Sequence, residues 1–313
     1  MRTPFIDGLV TIHVTTYNHA GFIEDCVKSI LAQSYRNLEV LICDDASTDG
    51  NVDKLRAIET WDSRVKVLYS ERNGGMSRNV NKGLREARGE YIAVISGDDL
   101  MDPLKIEKQV AFFRQHPAVV LCYHDMVAFD HESGDELYRV SERYRTPETV
   151  EENLFFTNWF LKKKPVRAIP SSLMARSAYF LRHEYDVRLS YSNEVLHALL
   201  NYAAEPSGKQ VVLNEALGRY RFHSGNAHQS ADNRKKDLEE NYLAYTLASI
   251  QYPSIGARCK DYLNYYLFSH LLFKWFAPES IPGFERLFRL QAGRMKFLYY
   301  RFCQAYLKAR KSI

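Results

Sequence analysis

Two pairs of adjacent carboxylates carry the clearest chemical signal in this sequence: Asp44-Asp45, followed by Ala46-Ser47, and Asp98-Asp99, preceded by Ser96-Gly97. Each pair follows a short apolar run, LEVLIC at 38–43 and YIAVI at 91–95, and a third run, LVTIHVT at 9–15, leads into Thr16-Tyr17-Asn18-His19. If these runs are strands of one parallel sheet, the polar residues after them share the edge where open α/β sheets bind ligands. Carboxylate pairs crowded there repel, by roughly 4 kcal/mol for unit charges 4 Å apart at an effective dielectric of about 20. The edge therefore needs a cation or hydrogen-bond donors. A few carboxylates completed by substrate phosphates is the usual Mg²⁺ arrangement, and a histidine in the shell shifts the preference towards Mn²⁺. His223, in YRFHSGN at 220–226, is the candidate histidine: its segment reads as a closing loop, with an ordinary surface histidine as the alternative. Adjacent residues at a strand end point in different directions, so one of Asp98 and Asp99 should be the direct ligand, and Asp98 is assigned that role. Asp44, directly after a strand, suits recognition of an N–H group such as a pyrimidine imide, whereas Ser47, Thr48 and Asp49 also fit the N-cap of the next helix. For Asp98 and Asp99 the structural alternative is a turn into the helix after Pro103.

The elements that must position these residues follow from hydrophobic spacing. Residues 9–15 are rich in β-branched side chains and nearly continuously apolar, as a strand buried on both faces should be. Ile23, Val27, Ile30 and Leu31 recur at helical spacing and predict a helix over about 20–33. The alternation repeats: strands at 38–43, 65–69 and 91–95, helices at about 50–61 and 76–88 with Gly89 as the C′ residue, and a helix from Pro103 to His116. Asn73-Gly74-Gly75 marks a turn. This rhythm means an α/β fold. Past a further strand at 119–123 the pattern blurs, with a turn at Ser133-Gly134, a helix near 151–163 and an apolar strand-like stretch at 211–213. From about Asp232 onward aromatic residues are dense and glycine scarce, which predicts a helical annex.

Composition narrows the function classes. The chain has 313 residues, 46% of them hydrophobic, enough for a large core, and 42 basic against 38 acidic residues, too balanced for a general nucleic-acid binder. Five cysteines without C-x-x-C spacing argue against a disulfide framework or structural zinc and favour a reducing compartment. The N-terminal ten residues lack the apolar core of a signal peptide, and the stretch 262–277 is interrupted by His270 and Lys274, so a soluble, cytoplasmic protein is expected. No G-x-x-x-x-G-K-[ST] loop and no G-x-G-x-x-G after the first strand are present, which argues against P-loop phosphotransferases and hydride-transfer dinucleotide folds. Near the C-terminus Arg286, Arg289, Arg294, Lys296, Arg301, Lys308, Arg310 and Lys311 are interleaved with aromatic residues, the composition of an interfacial amphipathic helix, or of a packed helix with a solvated basic face.

Together, VTTYNH at 14–19, LICDDASTDG at 41–50, RNGGMSRNVNKGLREARGEYIAVISGDD at 72–99 and Pro103 resemble the family 2 glycosyltransferases in order and spacing. The resemblance implies a GT-A fold, an α/β architecture with a mostly parallel central sheet flanked by helices. Its domain would span 1–231, with a nucleotide half to about 118 and an acceptor half from 119, followed by the helical region 232–313. It implies an inverting, metal-dependent hexosyltransferase that moves a sugar from a nucleoside-diphosphate donor, UDP or dTDP favoured, to an acceptor hydroxyl in cell-surface polysaccharide, lipopolysaccharide or glycoprotein assembly. By the same resemblance Thr15, Tyr17 and Asp44 contact the base, with Tyr17 stacking on it, Arg78 lies near the phosphates, and Asp98 takes the metal position of a D-x-D motif whose first acid is Ser96 here. Asp45 and Asp99 are second-rank nucleotide contacts. YRFHSGN matches the family's Y-R-x-H loop and makes His223 the second ligand of Mn²⁺ or Mg²⁺. IPSSLMAR at 169–176 matches the segment before the acceptor site. The family's acidic dipeptide falls on Asn193-Glu194, which makes Glu194 the catalytic base, against its alternative as a first-turn glutamate favouring the helix dipole. The acceptor would be a glycan, a lipid-linked sugar or a protein, with peripheral contact to the inner face of the cytoplasmic membrane through the C-terminal helices and a homo-oligomer both left open. A sugar nucleotidyltransferase and a catalytically inactive sugar-nucleotide or glycan-binding protein are the competing readings; the former would need a Gly- and Arg-rich loop where Tyr17-Asn18-His19 stands.

Overall fold

The computed structural model describes residues 4–144, 169–190, 193–226, 231–256 and 259. In chain order its elements are β1 (Ile6–Thr16), α1 (Ile23–Leu31), β2 (Leu38–Asp44), α2 (Asn51–Ile58), β3 (Val65–Tyr69), α3 (Met76–Glu86), β4 (Gly89–Ser96), β5 (Leu100–Met101), α4 (Lys105–Gln115) and β6 (Val119–Asp130). There follow β7 (Glu136–Arg139), α5 (Val140–Tyr144), a 3₁₀ turn at Pro170–Ser172, β8 (Met174–Arg176), α6 (Ser177–Phe180), α7 (Asn193–Ala204), β9 (Lys209–Phe222) and α8 (Ala231–Gln251). The chain divides into two compact units, Met1–Ala227 and His228–Ile313.

The first unit is built on one mixed sheet of order β3-β2-β1-β4-β8-β6-β9-β5, with β7 on β6. The first four strands are parallel, and β1 lies between β2 and β4 with every residue from Gly8 to Val14 buried, as an interior parallel strand requires. Helix α1 covers this sheet with Ile23, Cys26, Val27 and Ile30, spaced to fall on one face. Register sets the site: Thr15 pairs with Cys43 on one side and Ser96 on the other, and Thr16 pairs with Asp44, so all three strands stop level. Beyond β4 the sheet turns antiparallel through β8 and β6, and β9 runs parallel to β6 and brings residues 219–222 back past β5.

Several sequence expectations are corrected. Gly89 is not a helix C′ residue: α3 ends at Glu86, Ala87 is already extended, and Gly89 opens β4, where a Cβ would lie 2.6 Å from the Thr11 amide nitrogen. The helix after Pro103 starts later, because Asp102 accepts the Leu104 amide on its side chain and the Lys105 amide on its carbonyl, so α4 begins at Lys105. The strand at 119–123 continues to Asp130, hidden in the sequence by the buried polar residues His124 and Asp125. Tyr220, Arg221 and Phe222 are not loop but the end of β9, in register with Ala128, Phe129 and Asp130 of β6. The predicted helix near 151–163 and the basic aromatic region 286–311 lie outside the described residues. In the second unit α8 buries Ala244, Tyr245 and Ala248. Among the described residues no helix is long and apolar enough to cross a membrane, and the described cysteines Cys26, Cys43, Cys122 and Cys259 are free thiols.

Buried histidines make the fold acid-sensitive. Burial pulls the pKa of His13 and that of His197 down to about 4, while in the unfolded chain both return to near 6.5. Between those values the unfolded state binds more protons, so stability falls as pH drops through 6.5 towards 4. By pH 5 the loss is about 2 kcal/mol per histidine. Urea unfolding at pH 7.5 and pH 5.0 measures it. The drop should shrink in His13→Gln, and an unchanged midpoint in the wild type would contradict the neutral burial of these rings.

Candidate active site

At the level edge formed by β2, β1 and β4, most of the carboxylates are committed to the protein's own donors. Asp44, the last residue of β2, is 1% exposed and accepts three kinds of bond: Ser47 N at 2.9 Å, Ser47 Oγ, and Asn51 Nδ2 at 2.9 Å. It therefore shapes the turn into α2, and its Oδ2 keeps one lone pair beyond the Ser47 amide. Asp45 accepts Gly74 N at 2.9 Å and Gly75 N at 2.8 Å, one on each oxygen, and so pins the loop that opens α3. Gly75 has φ +83°, a conformation that a side chain would strain. Asp99 is buried, with Oδ1 on the Arg221 amide at 3.0 Å and Oδ2 on the Ser171 hydroxyl. Burial, reinforced by the neighbouring Asp98 charge, raises its pKa well above the ordinary carboxylate value.

Asp98 differs. Its Oδ2 lies 3.1 Å from His223 Nε2 and 3.9 Å from His19 Nε2, and its Oδ1 is buried with no hydrogen-bond partner. Burial alone would raise the Asp98 pKa, but the His223 bond and the His19 charge outweigh it and hold the carboxyl below its usual range. Buried, ionised and half-satisfied, this group is the one aspartate of the four with a buried oxygen that has no hydrogen-bond partner. The structure thus brings Asp98 and His223 together and adds His19, which sequence reading quoted within VTTYNH without giving it a role. A further unassigned residue, Arg221, secures the turn: its Nε donates to the Asp98 carbonyl at 2.8 Å, and its guanidinium lies 5.2 Å from the Phe22 ring and 4.9 Å from that of Phe129. Gly97 is small because a Cβ there would meet His19 Nδ1 and Thr16 Cβ, each at 3.0 Å.

The remaining assigned residues frame this centre. Thr15 is half-buried and its carbonyl accepts the Gly97 amide at 2.8 Å, while half-buried Ser96 donates its backbone N–H to Ser171 Oγ at 3.1 Å. Tyr17 is 43% exposed, on a loop clasped to the loop after β2: Asn18 Oδ1 accepts the Thr48 amide at 2.8 Å, and the Asn18 amide donates to Ser47 Oγ at 2.9 Å. An exposed ring on a braced loop can stack on a planar group. Arg78 is exposed on the first turn of α3, its Cδ 3.1 Å from where a Gly74 Cβ would be. Glu194 is exposed on the first turn of α7, and its charge reaches the phenols of Tyr123 and Tyr185.

Among the described residues no set of three His, Cys, Asp or Glu side chains forms a ready-made metal cage. The orphaned Asp98 Oδ1 beside the His223 imidazole nonetheless fits a divalent ion that draws its other oxygens from a bound phosphate group.

The sequence pattern of glycosyl transferase family 2 matches residues 11–181, more than half of the chain and the stretch from β1 through α6. The chain belongs to that family. This family 2 chain is 41% identical over 107 residues to TuaG of Bacillus subtilis (strain 168), whose name places it provisionally in teichuronic acid biosynthesis; the match covers 34% of this chain and 42% of TuaG. It is 37% identical over 99 residues to the glycosyltransferase GlyG of Streptococcus pneumoniae serotype 4, covering 32% of this chain and 33% of GlyG. The chain thus spans under half the length of these relatives. A longer match, 26% identity over 252 residues, reaches an uncharacterised glycosyltransferase of Haemophilus influenzae and covers 76% of this chain and 74% of that one. Among solved structures, S. aureus TarS 1-349 in complex with UDP-GlcNAc superposes with TM-score 0.64 at 18% identity, over 94% of this chain and 87% of that one. The mannosyltransferase PcManGT from Pyrobaculum calidifontis, in complex with GDP-Man and Mn²⁺, superposes with TM-score 0.57 at 16% identity, over 98% of this chain and 88% of that one. These likenesses show the fold, the GT-A arrangement of a mixed sheet flanked by helices.

Proposed function

We propose that this family 2 glycosyltransferase moves a sugar from a nucleoside diphosphate donor, with UDP or dTDP as the carrier, to an acceptor hydroxyl during cell-surface polysaccharide assembly, with inversion at the anomeric carbon. The observation that carries the reading is Asp98: a buried, ionised carboxylate with one unpartnered oxygen, flanked by His223 and His19 at the ligand-binding edge of the sheet. The other residues take the roles that the family resemblance implies. Tyr17 stacks on the base, the remaining Asp44 lone pair accepts the imide N–H, and Thr15 lines the same strand edge. Arg78 and the Gly74-Gly75 loop pinned by Asp45 approach the diphosphate, and the Ser96 hydroxyl, beside Asp98, takes the place of a carboxylate near the ribose. Asp99 keeps Asp98 aimed by fixing the turn to Arg221 and Ser171.

Asp98 and His223 would hold Mn²⁺ or Mg²⁺, which when bound neutralises charge on the leaving diphosphate as a Lewis acid. Glu194 accepts the proton of the acceptor hydroxyl, which then attacks from the face opposite the diphosphate. TuaG's name supports the polysaccharide setting, and UDP-GlcNAc and GDP-Man complexes of proteins with this fold support the nucleotide-sugar class. The basic and aromatic composition of 286–311 supports a lipid-linked acceptor met at a membrane surface. Calorimetric titration of the full chain with UDP, dTDP, GDP and CDP, each with and without Mn²⁺, tests the donor class. Metal-dependent binding of the uracil or thymine diphosphates alone is expected, whereas preference for GDP or CDP would overturn the carrier assignment.

A further inference from the structure

Helix α3 joins the two halves of the site. On one face Asn79 Nδ2 donates to the Cys43 carbonyl at 2.7 Å and Lys82 Nζ to the Asp44 carbonyl at 3.0 Å, tying the helix to the end of β2. Three further residues, Ser77, Asn81 and Arg85, recur every fourth position and so share another face. All three grip the segment that leads to Glu194. Arg85 pairs bidentately with Glu184, Asn81 exchanges two bonds with the Tyr185 backbone at 2.8 and 2.9 Å, and Ser77 Oγ donates to the Leu189 carbonyl at 2.7 Å.

The chain of bonds ends on Asn193. Its Nδ2 lies 2.8 Å from Ser77 Oγ and its Oδ1 2.7 Å from the Glu194 amide, and Asn193 and Ser77 are 0% and 3% exposed. Every direction in this chain is fixed. The Glu194 N–H can only donate, so the atom facing it is the amide oxygen; the other end of the side chain is then NH₂, a donor. The Leu189 carbonyl can only accept, so it takes the single Ser77 proton and leaves the Ser77 oxygen to accept from Asn193. A carboxylate at 193 would either set oxygen against oxygen or draw the single Ser77 proton to itself and leave the Leu189 carbonyl without its donor.

We propose that Asn193 is a positioning residue for Glu194, and that in this chain position 193 must be an amide because Ser77 Oγ accepts from it while donating to Leu189. The proposal rests on the reading of Glu194 as the base. It makes Asn193→Asp, which restores the acid of the family's dipeptide, a harmful change.

Two measurements on the full chain decide it. In thermal unfolding at pH 7, Asn193→Asp should lower the midpoint by about 2–4 °C. The same change should have a smaller effect in a Ser77→Ala background, where the hydroxyl that the new carboxylate disturbs is gone. A midpoint equal to wild type, or strictly additive shifts, would overturn the donor requirement. The second readout is diphosphate release from UDP-GlcNAc with Mn²⁺, followed against pH. In Asn193→Asp, kcat should fall about tenfold or more with KM for the donor unchanged, and the acid limb should move up by about one pH unit, because a second carboxylate disfavours ionisation of the first. A lowered midpoint with an unmoved pH profile would reduce Asn193 to a structural residue and overturn its positioning role. Glu194→Gln separates the two claims. If it abolishes release while Asn193→Asp behaves as wild type, the base stands and the proposal fails; if release survives Glu194→Gln, the base assignment itself fails, and the unfolding data still judge the bond to Ser77.

Discussion

Replacing Glu194 with glutamine should reduce sugar transfer by about 10²–10⁴-fold and leave nucleoside diphosphate binding unchanged. The substitution preserves size and shape but replaces a carboxylate, which can take up a proton, with an amide, which cannot. Glu194 sits on the first turn of α7, whose start is held by Asn193 and whose next turn is held by His197, stacked on Tyr185 at 4.3 Å and bonded to the Phe180 carbonyl at 2.9 Å. The binding edge, by contrast, is made by β1, β2, β4 and the end of β9, none of which depends on the charge at 194. Diphosphate affinity and turnover should therefore separate cleanly. The check is initial rate of diphosphate release alongside calorimetric affinity on the same preparation. An active Glu194→Gln enzyme would move the base elsewhere, and equal loss of binding and rate would make the residue structural.

Gly89→Ala should be a severely damaging single-methyl change in the first unit. A Cβ at position 89 would lie 2.6 Å from the Thr11 amide nitrogen, 2.7 Å from the Leu9 carbonyl oxygen and 2.8 Å from Thr11 Oγ1. The first two are backbone atoms of the central strand and cannot rotate away. Relief requires β4 to part from β1, which would also break the Gly89 amide bond to Thr11 Oγ1 at 2.9 Å and the Ser177 hydroxyl bond to the Gly89 carbonyl at 2.6 Å. Overpacking typically costs 1–3 kcal/mol, and with backbone as the obstacle a loss of about 3 kcal/mol is expected. Thermal unfolding reads this as a large drop in midpoint, or as insoluble protein. Gly83 offers the comparison: its obstacles, Cys43 Sγ and His13 Nε2, are side-chain atoms. A Gly89→Ala protein as stable as wild type would contradict the register of β4 on β1.

Strands β1, β2 and β4 were legible because they are interior and parallel. Burial on both faces demands unbroken apolar runs, and the residues that end them are then conspicuous. Strands β5, β6, β8 and β9 resisted for physical reasons. Strands β5 and β8 are two and three residues long, too short to show a period, and β6 and β9 carry the buried polar residues His124, Asp125 and Arg221 where the pattern asks for apolar ones. Lys105, 0% exposed with Nζ on the Ser171 carbonyl at 2.8 Å, breaks the same rule in α4; burial lowers its pKa to about 7. In the site, the carboxylate pairs were visible as a problem of repulsion, but not which donors solve it. The bonds from Gly74, Gly75 and Arg221 that occupy Asp45 and Asp99 come from backbone amides, which leave no mark in a sequence. His19 went unassigned because its partner is brought near only by the pairing of β1 with β4.

Asp98 is proposed as the carboxylate through which this chain binds a metal-bridged nucleoside diphosphate. The most direct measurement is calorimetric titration of UDP in the presence and absence of Mn²⁺ on wild type and on Asp98→Asn, a substitution that keeps the shape and removes the charge. Wild type should bind UDP more tightly with Mn²⁺. Asp98→Asn should lose that gain, about 10–100-fold in affinity, and fall to the metal-free level, the cost expected when a metal site loses a group that sets its charge. Equal binding by both proteins, with the same response to Mn²⁺, would contradict the account.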